Sequence, residues 1–183
     1  MKWIRTLRNY LQTGCLVSID HKLFVMHPIY LDYNATTPID SEVADYMIPF
    51  LKENFGNPSS THKFGTESRR AINDARKKVA ALLDCSPSEI VFTSGGTESN
   101  NLAIRGISYA RKSRGNHVVT SKIEHPAVLE VCKNLEREGF QITYLDVDKD
   151  GRINPVDLEK SIRPSTILVS IMHANNETGI IQP

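Results

Sequence analysis

Apolar residues recur along this chain in two alternating rhythms. Val43, Met47, Ile48 and Phe50 keep helical spacing up to Lys52, with Asp40 or Ser41 placed to cap the first turn. Ala71, Ile72, Ala75, Val79 and Leu82 mark a second helix from about Glu67 to Leu83, with Arg69, Arg70, Lys77 and Lys78 outside the stripe. A third helix follows Thr97 and carries Leu102, Ala103, Ile107 and Ala110. A fourth starts at Pro126, shows Val128, Val131, Cys132 and Leu135 on one face, and ends at Gly139. Pro155 to Ile162 reads as a fifth. Between these lie short extended runs at Tyr30–Tyr33, Ile90–Thr93, His117–Thr120, Phe140–Leu145 and Thr166–Met172. The last is almost continuously apolar, as expected of a strand covered on both faces. Strands alternating with helices predict an α/β domain, three-layer α/β/α with a mostly parallel sheet.

Polar punctuation separates the elements. Phe55–Ser60 is a loop by composition, Ser86-Pro87-Ser88 a turn, and Asp150-Gly151 another. Ligands of such sheets bind beyond the carboxyl ends of the strands. Three turns follow strands here, at Gly95-Gly96, at His125 and at Asn175-Asn176, so they can converge on one edge. The Gly95-Gly96 turn is the most informative of them. It joins a β-branched run to a helix start, where free N–H groups and the helix dipole favour a phosphate. Thr97 adds a hydroxyl in the first turn. No Lys-Ser/Thr pair follows the glycines, so this is not a Walker loop.

Charge and composition narrow the function classes. With 22 basic and 21 acidic residues the formal net charge is +1, which gives no electrostatic argument for nucleic acid or an anionic membrane. The 40% hydrophobic content fits a folded globular chain, and no apolar run is long enough to span a bilayer. Cys15, Cys85 and Cys132 form neither a disulfide framework nor a zinc pattern, which points to a reducing, cytoplasmic setting. Residues 1–26 read as an extension, disordered or targeting. Lys2, Arg5 and Arg8 interleave there with Trp3, Ile4, Leu7 and Leu11, and no acid precedes Asp20, so a mitochondrial transit peptide is the alternative. Residues 27–183 form the domain proper.

Five ordered blocks together carry a family resemblance: Tyr30–Pro38, Phe55–Ser60, Thr93–Asn101, Ile123–Leu129 and His173–Gly179. They resemble the cysteine desulfurases of the NifS/IscS type, class V aminotransferases of fold type I that use pyridoxal 5'-phosphate. The resemblance covers about Pro28 to Pro183 and implies the N-terminal part of such a domain. It places Gly96 and Thr97 in the phosphate cup, stacks His125 on the pyridine ring, and sets Asn176 on the phenolic oxygen. Asn34–Thr37 matches a stretch near the substrate entrance. It also implies L-cysteine as substrate, sulfur-acceptor proteins as partners, and a homodimer when intact.

The resemblance further implies residues this sequence does not include: the Schiff-base lysine, the cysteine that takes sulfur, and the aspartate and glutamine that complete the cofactor site. None of the three cysteines falls where the family places its nucleophile. Pyridoxal catalysis needs the lysine imine and the ring as electron sink, and desulfuration needs a thiolate. The chain alone is therefore expected to be inactive, to bind cofactor weakly or not at all, and to leave a sheet edge unpaired at Thr166–Met172, which promotes association. A selenocysteine lyase-like chain or a non-catalytic remnant of a split gene are the alternatives. Asp146–Asp157 imitates a calcium loop, with acids at its first, third and fifth positions and Gly151 at its sixth. It ends in Asp157 rather than Glu and is preceded by a strand, so no metal site is expected.

Overall fold

The structure is a computed structural model that describes residues 28–183 and, by backbone only, Cys15–Ile19 and Lys22–Met26. These two runs, β1 (Cys15–Ile19) and β2 (Lys22–Met26), pair antiparallel with Cys15 opposite Met26 and Ile19 opposite Lys22. The reading of residues 1–26 as an extension assigned no element there. Lys2, Arg5 and Arg8, which carry the targeting alternative, lie outside the described residues.

The chain divides into two compact units, residues 1–44 and 45–183. In the first unit Tyr30 is within hydrogen-bonding reach of its neighbours, its hydroxyl 2.8 Å from Asp32 O and 2.9 Å from Thr36 Oγ1. The Tyr30 ring also meets Tyr33 edge-on. The unit runs into helix α1 (Ser41–Lys52), whose first N–H groups, of Glu42 and Val43, donate to Asp40 Oδ1. The expected cap is thus Asp40.

In the second unit α2 spans Lys63–Leu82 and starts four residues ahead of the expected Glu67. His62 explains the difference, because its Nδ1 accepts the Gly65 N–H and so caps the helix earlier than the apolar stripe begins. The Phe55–Ser60 loop lies against this first turn. A Cβ on Gly65 would stand 2.5 Å from Asn57 O and Ser60 O, and one on Gly56 2.3 Å from Phe64 O. The two backbones touch there because neither glycine carries a side chain.

A 3₁₀ turn at Pro87–Glu89, closed by a reciprocal cap between Ser86 and Glu89, precedes α3 (Gly96–Ala110). The expected strand Ile90–Thr93 does not form. Its backbone is extended, but a strand needs a neighbour, and among the described residues none pairs with it. Arg76 holds it instead, donating Nε–H to Ile90 O and lying over the Phe92 ring, while Val91 is 64% exposed.

The sheet has three strands: β3 (His117–Ser121), β4 (Gln141–Leu145) and β5 (Thr166–Ser170), in the order β4-β3-β5 and all parallel. Helix α4 (Pro126–Arg137) connects β3 to β4, and α5 (Pro155–Ser161) connects β4 to β5. Every residue of β3 is buried. On one face Ile142, Tyr144 and Leu168 pack on Ile104 of α3 and Val128, Val131, Cys132 and Leu135 of α4. On the other, Val119, Leu145 and Ile153 form a smaller core with Leu158 of α5 and Ile171. The two covered faces are the expected α/β/α layering. Each fully buried aliphatic side chain contributes about 1.5–3 kcal/mol by leaving water.

Element ends shift for local reasons. Phe140 belongs to the close of α4, not to β4, since its N–H returns to Leu135 O after Gly139 turns at φ 90°. The calcium-loop imitation is a tight hairpin. Val147 bridges Ile153, and Asp148 Oδ1 accepts the Asp150 and Arg152 N–H groups, which holds its carboxyl below the usual range. Among the described residues no cluster of His, Cys, Asp or Glu could hold a metal, and no helix is long and apolar enough to cross a membrane.

His117 is fully buried and spans all three strands, its Nδ1 2.7 Å from Thr166 Oγ1 and its Nε2 2.8 Å from Thr143 Oγ1. Burial, aided by the charge of Arg163, pushes its pKa below the ordinary 6.5. The unfolded chain therefore takes up this proton first on acidification, and stability present above pH 6.5 is lost as pH falls. Urea midpoints measured from about pH 7.5 down to about pH 5 should decline, and the His117→Gln variant should show a flatter decline over that range.

Candidate functional site

Helix α3 begins at the glycine pair. Gly95 is its cap residue and offers no side chain to the first turn, so the N–H groups of Gly96, Thr97 and Glu98 have no partner within the helix. The first intrahelical bond runs from Ser99 N to Gly95 O. Glu98 turns back instead and accepts both the N–H and the hydroxyl of Ser94 at 2.6 Å, which keeps its carboxyl below the usual range. Gly95, Gly96 and Thr97 are all exposed, and a Cβ built on either glycine would meet nothing within 4 Å. The turn is an exposed helix start that presents N–H groups at the positive end of a four-turn helix.

His125 caps α4. Its Nδ1 accepts the Ala127 N–H at 3.0 Å, which fixes the ring and leaves Nε2 outward on an exposed side chain. Asn176 lies at the tip of a hairpin formed after β5, where Ala174 bridges Ile181 and Gly179 turns at φ 72°. Asn176 is exposed, and its Nδ2 donates to Glu177 Oε1. Asn175 beside it is buried and organises the hairpin: its Oδ1 accepts the Glu177 and Thr178 N–H groups, and its Nδ2 donates to Ile123 O at 3.0 Å.

That last bond crosses between the two turns. A second crosses beside it: Glu124 Oε1 accepts the Met172 N–H at 2.7 Å and the Ser121 hydroxyl at 2.9 Å. The same bond ends β5 at Ser170, ahead of the expected Met172. The turns of His125 and Asn176 are therefore held against each other at the carboxyl ends of β3 and β5. Gly96 and Thr97 take no part in this brace and stand at the start of α3. Arg105, late in α3, donates to Glu138 just past α4 at 2.9 Å, and the Tyr109 hydroxyl bonds the same carboxylate. Helix α3 also packs against α4 through Ile104, which lies among Val128, Val131, Cys132 and Leu135. Asn34–Thr37 belongs to the first unit, in the turn next to Tyr30.

A comparison with known families identifies residues 29–183 as "Aminotransferase class-V". The chain belongs to the class V aminotransferase family. Among curated relatives it is 59% identical to the cysteine desulfurase IscS of Dictyoglomus turgidum over 155 residues, 85% of this chain and 39% of that one. It is 55% identical to the IscS of Methanosarcina thermophila, over 85% of this chain and 38% of that one. A solved NifS-like protein superposes with a TM-score of 0.81 at 46% identity, covering 85% of this chain and 43% of that one. A structure described as SspA in complex with cysteine gives 0.79 at 45% identity, over 84% and 44%. The chain thus spans about two fifths of the length of the curated relatives it matches.

Two polar residues of this chain escaped the sequence reading as site-forming groups. Glu124 sits between the quoted Ile123 and His125, and an acid directly ahead of a helix cap was its only signal. Asn175 was visible as a turn residue, but its reach to Ile123 O depends on the pairing of β3 with β5. The thiols differ in character. Cys132 is fully buried on α4, and burial, with Glu136 and Glu124 nearby, pushes its pKa from 9.0 up to about 11. Such a thiol is a filler, not a nucleophile. Cys85 is partly exposed. Alkylation near pH 8 followed by peptide mass spectrometry should therefore modify Cys85 in the native protein and Cys132 only in denaturant. By linkage, Cys132 contributes stability below pH 9 that is lost as pH climbs towards 11.

Proposed function

We propose that this class V aminotransferase carries one half of a pyridoxal 5'-phosphate site, made by Gly96, Thr97, His125 and Asn176. The observation that supports the reading is the glycine-opened start of α3, whose first N–H groups have no side-chain cap, together with the His125 ring tethered at the start of α4. The donor set fits the group. The N–H groups of Gly96 and Thr97 and the Thr97 hydroxyl suit the phosphate. The flat His125 imidazole, tethered through Nδ1, suits the pyridine face. The Asn176 amide suits a phenolic oxygen. When bound, the cofactor supplies an electron sink that weakens bonds in an amino-acid substrate.

The whole protein, like the cysteine desulfurases it is similar to, would take sulfur from L-cysteine onto an enzyme thiol and pass it to acceptor proteins, for iron–sulfur clusters or related sulfur metabolism. It would work as a homodimer in the cytoplasm. Residues 1–183 by themselves would bind the cofactor weakly and would not turn cysteine over. Buried Cys132, its thiol pKa pushed up to about 11, does not suit the part of a sulfur-accepting nucleophile.

Isothermal calorimetry with pyridoxal phosphate tests the cradle. Thr97→Val should weaken binding about tenfold through one lost charge-assisted bond, and inorganic phosphate should compete. Binding indifferent to Thr97→Val, to His125→Ala and to phosphate would remove the assignment. Alanine formation from cysteine should stay at the level of a protein-free control; turnover by residues 1–183 would show that the remaining machinery is not needed.

A further inference from the structure

Glu124 is a buried acid, 6% exposed, that the cofactor reading does not use. Its Oε1 collects two donors, the Ser121 hydroxyl from the end of β3 and the Met172 N–H from the chain leaving β5. It immediately precedes His125, the cap of α4, so its charge lies at the positive end of that helix. One bond away on either side are the two turns that carry His125 and Asn176. Asn175 adds a parallel tie through Ile123 O, the carbonyl of the residue just before Glu124. These contacts involve no surface group and no ligand, and they join segments 48 and 52 residues apart in the chain.

We propose that Glu124 is a positioning residue of the site, whose carboxylate sets the His125 turn against the Asn176 hairpin by accepting from Ser121 and Met172 together. The inference rests on the cofactor reading for what the two turns hold, but the brace itself is a property of this chain. One oxygen accepting two donors is what the brace requires. Glutamine keeps that oxygen at the same reach, whereas aspartate keeps the charge and withdraws it by one methylene. The three substitutions Glu124→Gln, Glu124→Asp and Glu124→Ala therefore separate hydrogen-bond geometry from charge and from simple bulk.

Amide hydrogen exchange, followed by mass spectrometry on the full chain, reads the brace without any ligand. In Glu124→Asp and Glu124→Ala, exchange in residues 122–129 and 171–180 should rise together by about tenfold. Glu124→Gln should stay within about threefold of the parent, and α2 should be unchanged in all three. If Glu124→Ala does not fold, Glu124→Asp carries the test. Exchange rising in only one turn, a Gln variant as loose as the Ala variant, or an Asp variant indistinguishable from the parent would each overturn the proposal. A second arm titrates pyridoxal phosphate and inorganic phosphate separately. Glu124→Asp should weaken the first about tenfold and leave the second unchanged, because Gly96 and Thr97 are held by α3. Equal loss of both would overturn the positioning role. A parent chain that binds no pyridoxal phosphate would sink the cofactor reading, and the exchange result would still decide the brace.

Discussion

Strand β3 has no free side. It is hydrogen-bonded to β4 on one flank and β5 on the other, its faces are covered by α3 and α4 above and α5 below, and all five residues are buried. Everything else follows from that pairing. Because the three strands are parallel, their carboxyl ends share one edge, and each connection must leave from it. The turn after β3 becomes the start of α4, and the turn after β5 becomes the Asn176 hairpin. The parallel sheet thereby brings the turns at 121–125 and 172–176 into one neighbourhood that no local interaction could assemble.

Buried polar groups then fix the arrangement at both ends of the sheet. His117 holds the amino end, with a threonine from each neighbouring strand on its two nitrogens. Glu124 and Asn175 hold the carboxyl end. A buried donor or acceptor without a partner costs about 1–3 kcal/mol, so such groups specify one register rather than merely adding stability. Among the described residues only the Ser108 hydroxyl is buried without a partner. The same economy explains what lies outside the core. Leu82, Val91 and Phe92 are exposed, and the Ile90–Thr93 segment is steadied by Arg76 and by the Thr93 hydroxyl against Ser99.

The candidate cradle combines two kinds of order. At Gly96 and Thr97 the helix itself supplies N–H groups without intrahelical partners and a favourable dipole, so this helix start needs no tertiary partner to be attractive to an anion. At His125 and Asn176 the useful feature is placement, and placement comes from the brace between the two turns. A site built this way separates affinity for a phosphate from orientation of whatever the phosphate carries.

The sequence by itself determined the elements whose cause is local: the five helices, the three strands of the parallel sheet, the Pro126 helix start, the Gly139 and Gly151 turns, and the open glycine start of α3. Periodicity, capping side chains and positive-φ glycines act within a few residues, so they are readable from the chain. The resemblance in its five blocks also named the family correctly. What only the tertiary structure decided needs two distant segments at once. Ile90–Thr93 has the composition of a strand and stays unpaired because none of the described residues forms a strand beside it. Thr166–Met172 stops at Ser170 because Glu124 takes the Met172 N–H. Asn175 and Glu124 matter because β3 and β5 lie side by side. A hydrogen bond across about fifty residues leaves no periodic trace in the sequence, since each partner alone is only a polar residue in a turn.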